Sequence, residues 1–255
     1  MSRYKVRKQA LETLSNIENN PQNYYLIHYA CGNFREENTI SVIAVMNLKK
    51  QVSTTFSIKK TAEDLNIDPR DISKNTLKIQ KEMLESFNEF LIQNVKNVKW
   101  INWNMQSDKF GFEAIQHQSK ILNIKNPVTV SNSDQINLSH LLSDIYGPNF
   151  IDDPKMEKLA EYNDIDLSYE FKNGKEEARL LNEGKYTDIS LSTIRKLTIF
   201  NIFLEKAVNN KLKVKSKWTD IYGWSPQGIY NAIKGKWWFA ILTFILGTLI
   251  GHFFK

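Results

Sequence analysis

An apolar segment near the carboxyl terminus, residues 237–254, constrains this chain more than any other feature, because it contains no Lys, Arg, Asp or Glu. As an α-helix with a rise of about 1.5 Å per residue it extends for roughly 27 Å, close to the roughly 30 Å hydrocarbon core of a bilayer. A buried core helix is the alternative, but core helices are seldom apolar on every face. The segment therefore predicts a single transmembrane helix.

The residues around this segment predict its orientation. Trp237 and Trp238 begin it, at the place where an interfacial aromatic belt is expected. Lysines are concentrated in residues 211–236, and only Lys255 follows the segment. The positive-inside rule therefore places the globular part in the cytoplasm and predicts a single-pass protein of the cell membrane.

Small residues recur inside the segment. Thr243, Gly247 and Gly251 are spaced by four and share one face of the predicted helix. Such a face lets two helix backbones approach closely, so it predicts association between copies of the chain. A single helix encloses no pore, and any channel function therefore requires an oligomer.

The rest of the chain has the composition of a folded protein. Hydrophobic residues make up 42% and aromatic residues 12% of the 255 positions, which excludes global disorder. The single cysteine, Cys31, excludes an intrachain disulfide framework and a cysteine-based structural zinc site. The formal net charge of +6 is compatible with an anionic ligand and equally with an anionic lipid surface. We expect no cofactor.

Hydrophobic periodicity predicts the order of the secondary-structure elements. Residues 24–29, 39–48 and 52–58 predict three strands of an antiparallel meander, followed by a helix over 71–95 and a strand over 98–103. The later elements are a helix at 110–122, a strand at 127–130, and helices at 137–146, 155–162, 175–182, 190–214 and 225–234. This alternation predicts an α/β domain with a mixed sheet and flanking helices.

The chain is thus expected to have four parts. An N-terminal helix occupies residues 1–22, and the α/β domain occupies residues 23–210. A basic linker with a short helix follows over residues 211–236, and the transmembrane helix occupies residues 237–254.

The end of the first predicted strand resembles a known motif. Tyr29 ends the predicted strand, and Cys31, Asn33 and Phe34 follow it. The stretch is similar to the first motif of ribonuclease-H-like, DEDD-type 3′–5′ exonucleases, in which an Asp-x-Glu triplet ends the first strand. Tyr29 and Cys31 stand at the two carboxylate positions. If the register is one residue earlier, His28 and Ala30 stand there instead.

The second motif of the same family is also present in altered form. Trp103 and Asn104 end a predicted strand and are followed by Phe110 and Phe112 at a helix start. Gly111 stands where the family has an aspartate.

The last motif of the family, His-x-x-x-x-Asp on a late helix, falls within residues 190–198. Arg195 and Lys196 appear there instead of the histidine and the aspartate. The resemblance covers about residues 24–210 and implies a degenerate exonuclease-like domain with a ribonuclease-H-like mixed sheet.

Loss of these carboxylates predicts that the domain is not an enzyme, because two-metal phosphodiester cleavage needs carboxylates to hold both Mg²⁺ ions. We expect instead a pocket that binds a nucleic-acid end without cutting it. Aromatic rings would stack on bases, asparagines would bond to sugar or phosphate, and basic groups would bind phosphate. Core packing and a solvated helix face remain alternatives for these residues. The candidate ligand-binding residues are Tyr29, Cys31, Asn33, Phe34, Trp103, Asn104, Phe110, Phe112, Arg195 and Lys196.

An inactive exonuclease-like domain joined to one membrane helix resembles the HalA family of effectors from Hailong anti-phage systems. The resemblance implies an oligomeric ion channel, with a tetramer favoured, in the bacterial inner membrane. Single-stranded DNA oligomers supplied by a partner nucleotidyltransferase would control its gating, and infection would then cause membrane depolarisation or growth arrest. The expected pore residues are Trp237, Trp238, Thr243, Gly247 and Gly251.

Two other functions stay open. A membrane-tethered nuclease with an unusual metal set would use Asp108, Glu113 and Asp134. A membrane scaffold that recruits a partner would need neither a metal nor a pore. Degradation of an oligonucleotide tests the first alternative, and bilayer conductance tests the second.

Overall fold

A five-stranded mixed sheet lies at the centre of the fold. The computed structural model describes residues 2–32, 39–94, 96–107, 110–234 and 236–253. The sheet contains β1 (Tyr24–Cys31), β2 (Ile40–Asn47), β3 (Ser53–Ser57), β4 (Lys99–Asn102) and β7 (Gln135–Asn137). Two short strands, β5 (Gln106–Ser107) and β6 (Phe110–Gly111), pair with each other outside this sheet.

The order of the strands across the sheet is β3-β2-β1-β4-β7. Strand β2 is antiparallel to both β1 and β3, whereas β4 is parallel to β1 and β7 is parallel to β4. The predicted mixed sheet with flanking helices is therefore confirmed. Because β1 and β4 are parallel neighbours, their carboxyl ends meet at one edge of the sheet.

Helices cover both faces of the sheet. One hydrophobic cluster packs Leu26 of β1 against α1, α5, α6 and α8, and a second packs Ile27 against α2, α3 and α4. Successive residues of a strand point to opposite faces, so β1 is buried on both sides and reads as a continuous apolar run. The helices are α1 (Arg3–Asn19), α2 (Ile58–Asp64), α3 (Thr76–Asn94), α4 (Phe112–Ile121), α5 (Leu138–Tyr146), α6 (Lys155–Tyr162), α7 (Gly174–Asn182), α8 (Tyr186–Val208), α9 (Trp218–Tyr222), α10 (Pro226–Ile233) and α11 (Trp237–Phe253).

The strand predicted at residues 127–130 is wrong, because β7 takes the place next to β4. The Val128 N–H donates to Asn88 Oδ1 at 2.7 Å, and the Val130 carbonyl accepts from Gln135 Nε2 at 3.2 Å. The backbone thus bonds to side chains instead of a neighbouring strand. The side chains of Val128 and Val130 still pack into the second cluster, which accounts for the apolar pattern.

The transmembrane helix predicted for residues 237–254 is wrong, and so is the single-pass location in the bacterial inner membrane. Residues 237–253 form α11, whose 17 residues extend for roughly 26 Å, less than the roughly 30 Å of a hydrocarbon core. Across the residues that the structure describes, no helix combines the length and apolarity that crossing a membrane requires.

Candidate functional site

A cavity of about 450 Å³ opens at the edge where the carboxyl ends of β1 and β4 meet. Small-molecule sites commonly have this volume. The last residues of β1 line it from both faces of the strand, and Trp103 and Asn104 line it from the chain just after β4. Residues of α6, α7 and α8 complete the lining. The cavity therefore lies between the sheet edge and these three helices.

Aromatic rings form much of the cavity wall. The rings of Tyr29 and Phe110 stack with centroids 4.5 Å apart. Trp103 stacks on Phe200 of α8 at 5.8 Å, so the core holds its indole in place. Phe171, from the segment before α7, also lines the cavity. Rings held in this way are suited to stacking on a planar base.

A buried ion pair lies at the cavity. Lys196 Nζ of α8 is 2.7 Å from Glu177 Oε1 of α7, and both side chains are only 5% exposed. The Ser192 hydroxyl donates to the same Glu177 oxygen at 2.7 Å. The Lys196 ammonium also lies 5.7 Å from the centroid of the Phe171 ring. The net charge of this buried pair is zero.

The residues at the expected carboxylate positions are neutral. Burial raises the pKa of the Tyr29 phenol, whose oxygen accepts the Gly111 N–H at 3.0 Å. Burial, and secondarily the Glu177 carboxylate, raise the pKa of the Cys31 thiol to about 12. Both groups therefore stay protonated near neutral pH and supply no negative charge to a metal ion.

His28 lines the cavity as a neutral imidazole. Burial holds its pKa well below the usual range, and the nearby Lys196 ammonium lowers it further. Its Nδ1 is buried and has no hydrogen-bond partner among the described residues. The ring is held edge-on to Phe200, with centroids 5.7 Å apart.

Two asparagines fix the rim of the cavity after β4. Asn104 has a left-handed backbone (φ 55°), a conformation that asparagine adopts more readily than most residues. Its N–H donates to Asn137 Oδ1 at 3.3 Å, and Asn137 Nδ2 donates to Asn104 Oδ1 at 3.2 Å. The reciprocal bonds connect the end of β4 to the start of α5.

The structure brings most of the predicted ligand-binding residues together. Phe112 instead packs in the second hydrophobic cluster, and Arg195 donates to the Asp166 carbonyl at 2.6 Å away from the cavity lining. Asn33 and Phe34 lie outside the described residues. The predicted residues that line the cavity are Tyr29, Cys31, Trp103, Asn104, Phe110 and Lys196.

Sequence reasoning missed Glu177 and Phe171. Glu177 meets Lys196 only because α7 packs against α8, and local spacing rules connect residues three or four apart on a single helix. The one local signal was the Asn173-x-x-Glu176 pattern, which forms a capping box and fixes where α7 begins. Phe171 carries no comparable signal.

Glu113 and Asp134, the described residues of the alternative nuclease, belong to no metal-ligand cluster among the described residues. Asp134 pairs with Lys99 at 2.8 Å, and Glu113 lines a separate cavity on α4 with His117. Asp108 lies outside the described residues. Within the described part of the chain, no group of three or more His, Cys, Asp and Glu residues is placed to hold a metal ion.

The predicted pore residues all lie on α11. Trp237 is 78% exposed and Trp238 is half-exposed, while the Thr243 hydroxyl donates to a backbone carbonyl one turn earlier. Gly247 and Gly251 belong to the same helix. The ion-channel function depends on a membrane-spanning helix and stays a prediction.

Comparisons with known protein families, with curated proteins and with solved structures find no match to this chain. The resemblances to DEDD-type exonucleases and to the HalA family therefore stay predictions based on the motifs quoted above.

Proposed function

We propose that the cavity binds one end of a single-stranded DNA oligomer without cleaving it. The observation that carries the proposal is the composition of the cavity at the ends of β1 and β4. The rings of Trp103, Phe110 and Phe171 line the same cavity as the buried Lys196 ammonium, which lies 5.7 Å from the Phe171 centroid. Aromatic rings combined with a cation are the usual means of binding a single strand, because every base has a face that can stack.

The charge of the cavity supports the non-cleaving part of the proposal. Two-metal catalysis of phosphodiester hydrolysis needs several carboxylates that converge on two cations. Here Glu177 is already paired with Lys196, and Tyr29 and Cys31 remain protonated near pH 7. Glu157 is the other carboxylate among the described lining residues. One unpaired carboxylate is too few to hold two metal ions.

A binding and degradation assay with the full chain tests this function. Fluorescence anisotropy with a labelled oligodeoxyadenylate is expected to show saturable binding, and a denaturing gel is expected to show an intact oligonucleotide after incubation with Mg²⁺ or Mn²⁺. Metal-dependent shortening of the oligonucleotide would disprove the non-cleaving function, and failure to bind would disprove the ligand class.

A substitution of one aromatic residue that lines the cavity tests whether the oligonucleotide binds there. Phe171→Ala is expected to weaken binding by roughly 5- to 150-fold, because loss of one stacking contact costs about 1–3 kcal/mol. Phe90→Ala is the matched control, since Phe90 is also half-buried but packs in the second cluster, away from the cavity. Its binding is expected to equal that of the unchanged chain.

We also propose that the chain forms a homo-oligomer through α11. Large apolar side chains of α9, α10 and α11 are exposed, among them Trp224 (74%), Trp237 (78%) and Phe244 (72%). Contact with a second copy would remove such side chains from water, which is favourable. Tetramer formation and supply of the oligomer by a nucleotidyltransferase stay predictions from the HalA resemblance.

A further inference from the structure

The Glu177–Lys196 pair differs from the other ion pairs between described residues. Both of its side chains are 5% exposed, whereas the pairs on the protein surface keep at least a third of each side chain in solvent. Stability alone gives little reason for such a pair, because apolar residues of similar volume often replace a buried ion pair without loss. The pair is therefore a candidate for a role in ligand binding.

The ammonium has unused hydrogen-bonding capacity. A lysine ammonium has three N–H donors, and Glu177 is the carboxylate that the described residues pair with Lys196 Nζ, at 2.7 Å from Oε1. The carboxylate is itself held by the Ser192 hydroxyl. Lys196 also lines the cavity, so an oxygen of a bound molecule can accept from the remaining donors.

The Glu177–Lys196 pair resembles a metal site in one respect: a carboxylate holds a cation, and the cation can bind a phosphate. In a two-metal phosphodiester site, carboxylates hold cations and the cations hold phosphate oxygens. Here the Glu177 carboxylate holds the Lys196 ammonium at the cavity wall, and neutral His28 adds no second cation beside it. An ammonium binds a phosphate oxygen but has no coordination position at which to activate water.

We infer that Lys196, held by Glu177, is a built-in phosphate-binding cation, and that it makes ligand binding independent of divalent metal ions. The inference rests on the proposed function, since it assigns the residue that contacts the backbone of the bound strand. Lys196 is a binding residue in this assignment, and Glu177 is a positioning residue that acts through it.

The first measurement is the affinity of the full chain for a labelled oligodeoxyadenylate with EDTA and with Mg²⁺. The two dissociation constants are expected to agree within about twofold once the ionic strength is matched. A requirement for Mg²⁺ overturns the inference and leaves the proposed function intact. Failure to bind under either condition overturns both.

The second measurement uses the double variant Glu177→Leu/Lys196→Met, which removes both charges and leaves the net charge of the protein unchanged. No unpaired charge stays buried in this variant, so it is expected to fold. Binding is expected to weaken at least tenfold. The slope of log K against log salt concentration is expected to fall by about 0.7, the value for one phosphate contact on a single strand.

Two further variants complete the test. Lys125→Gln removes an exposed lysine outside the cavity lining and is expected to leave the affinity and the salt slope nearly unchanged. Glu177→Gln/Lys196→Gln replaces the apolar double variant if that one shows no thermal unfolding transition. An affinity and a slope equal to those of the unchanged chain in a folded double variant contradict the inference.

Discussion

Cys31 shows how burial determines the chemistry of a single residue. With a pKa of about 12, roughly one thiol in ten thousand is ionised at pH 8, compared with about a quarter for an ordinary cysteine. Because the thiolate is the reactive form, we expect a disulfide reagent such as DTNB to modify the folded protein roughly a thousandfold more slowly than the chain unfolded in urea. Equal rates for the two forms would contradict the assigned protonation state.

Individual residues also show how much of the site could be predicted from the sequence. Tyr29, Cys31 and Trp103 were predictable as lining residues because each ends a strand or directly follows one, and parallel strand ends meet at one edge. Glu177 was not predictable, because its contact with Lys196 is set by packing between α7 and α8. Local sequence therefore identified the sheet side of the cavity and missed most of the helical side.

At the scale of elements, the start of α7 determines the position of Glu177. The Asn173 side chain accepts the N–H groups of Lys175 and Glu176, and the Glu176 carboxylate accepts the Asn173 N–H at 2.9 Å. We expect Asn173→Ala to lower the free energy of unfolding by about 1 kcal/mol, because it removes an N-cap acceptor. Equilibrium unfolding in urea measures this change.

The matched control for this cap is Asn173→Ser, which keeps a side-chain oxygen at the same position. Serine and asparagine are about equally good N-cap residues, so its unfolding midpoint is expected to stay close to that of the unchanged chain. Equal destabilisation by alanine and by serine would show that the capping bonds contribute nothing, and that another contact of Asn173 matters.

Elements with strong periodicity were the predictable ones. The helix at 155–162 was predicted with the bounds that α6 has, since its apolar residues repeat at helical spacing and Pro154 stands at its N-cap. The strand at 127–130 was wrong because burial of two valines produces the same apolar pattern as a buried strand. Which segment pairs with β4 depends on the whole sheet, and no short window contains that information.

At the scale of the whole molecule, the C-terminal region differs from the rest. Many apolar residues of the sheet and its covering helices are buried in shared clusters, whereas six large apolar side chains of α11 are exposed: Trp237, Trp238, Ile241, Leu242, Phe244 and Ile245. The sequence predicted that this helix is apolar on every face and predicted a bilayer around it, which is wrong. A hydrophobic pattern indicates that a surface is favourably removed from water. It does not identify whether lipid, the protein core or another chain contacts that surface.

Self-association through α11 gives a prediction for the intact protein. Ile241 and Phe244 lie three residues apart on one helix face and are 50% and 72% exposed. We expect sedimentation velocity to find the full chain as an oligomer at micromolar concentration. Ile241→Lys/Phe244→Lys is expected to weaken association at least a hundredfold, because burying two unpaired ammonium groups in an apolar interface is strongly unfavourable.

The control for this experiment also replaces two exposed apolar residues with lysine, but on another helix. Leu77→Lys/Ile92→Lys changes two residues of α3 that are about as exposed, 58% and 57%, and that lie far along the chain from α11. It is expected to leave the oligomer unchanged, because these side chains belong to α3 and not to the helix proposed to associate. A full chain that sediments as a monomer at every concentration contradicts the interface, and so does an α11 double variant that stays oligomeric.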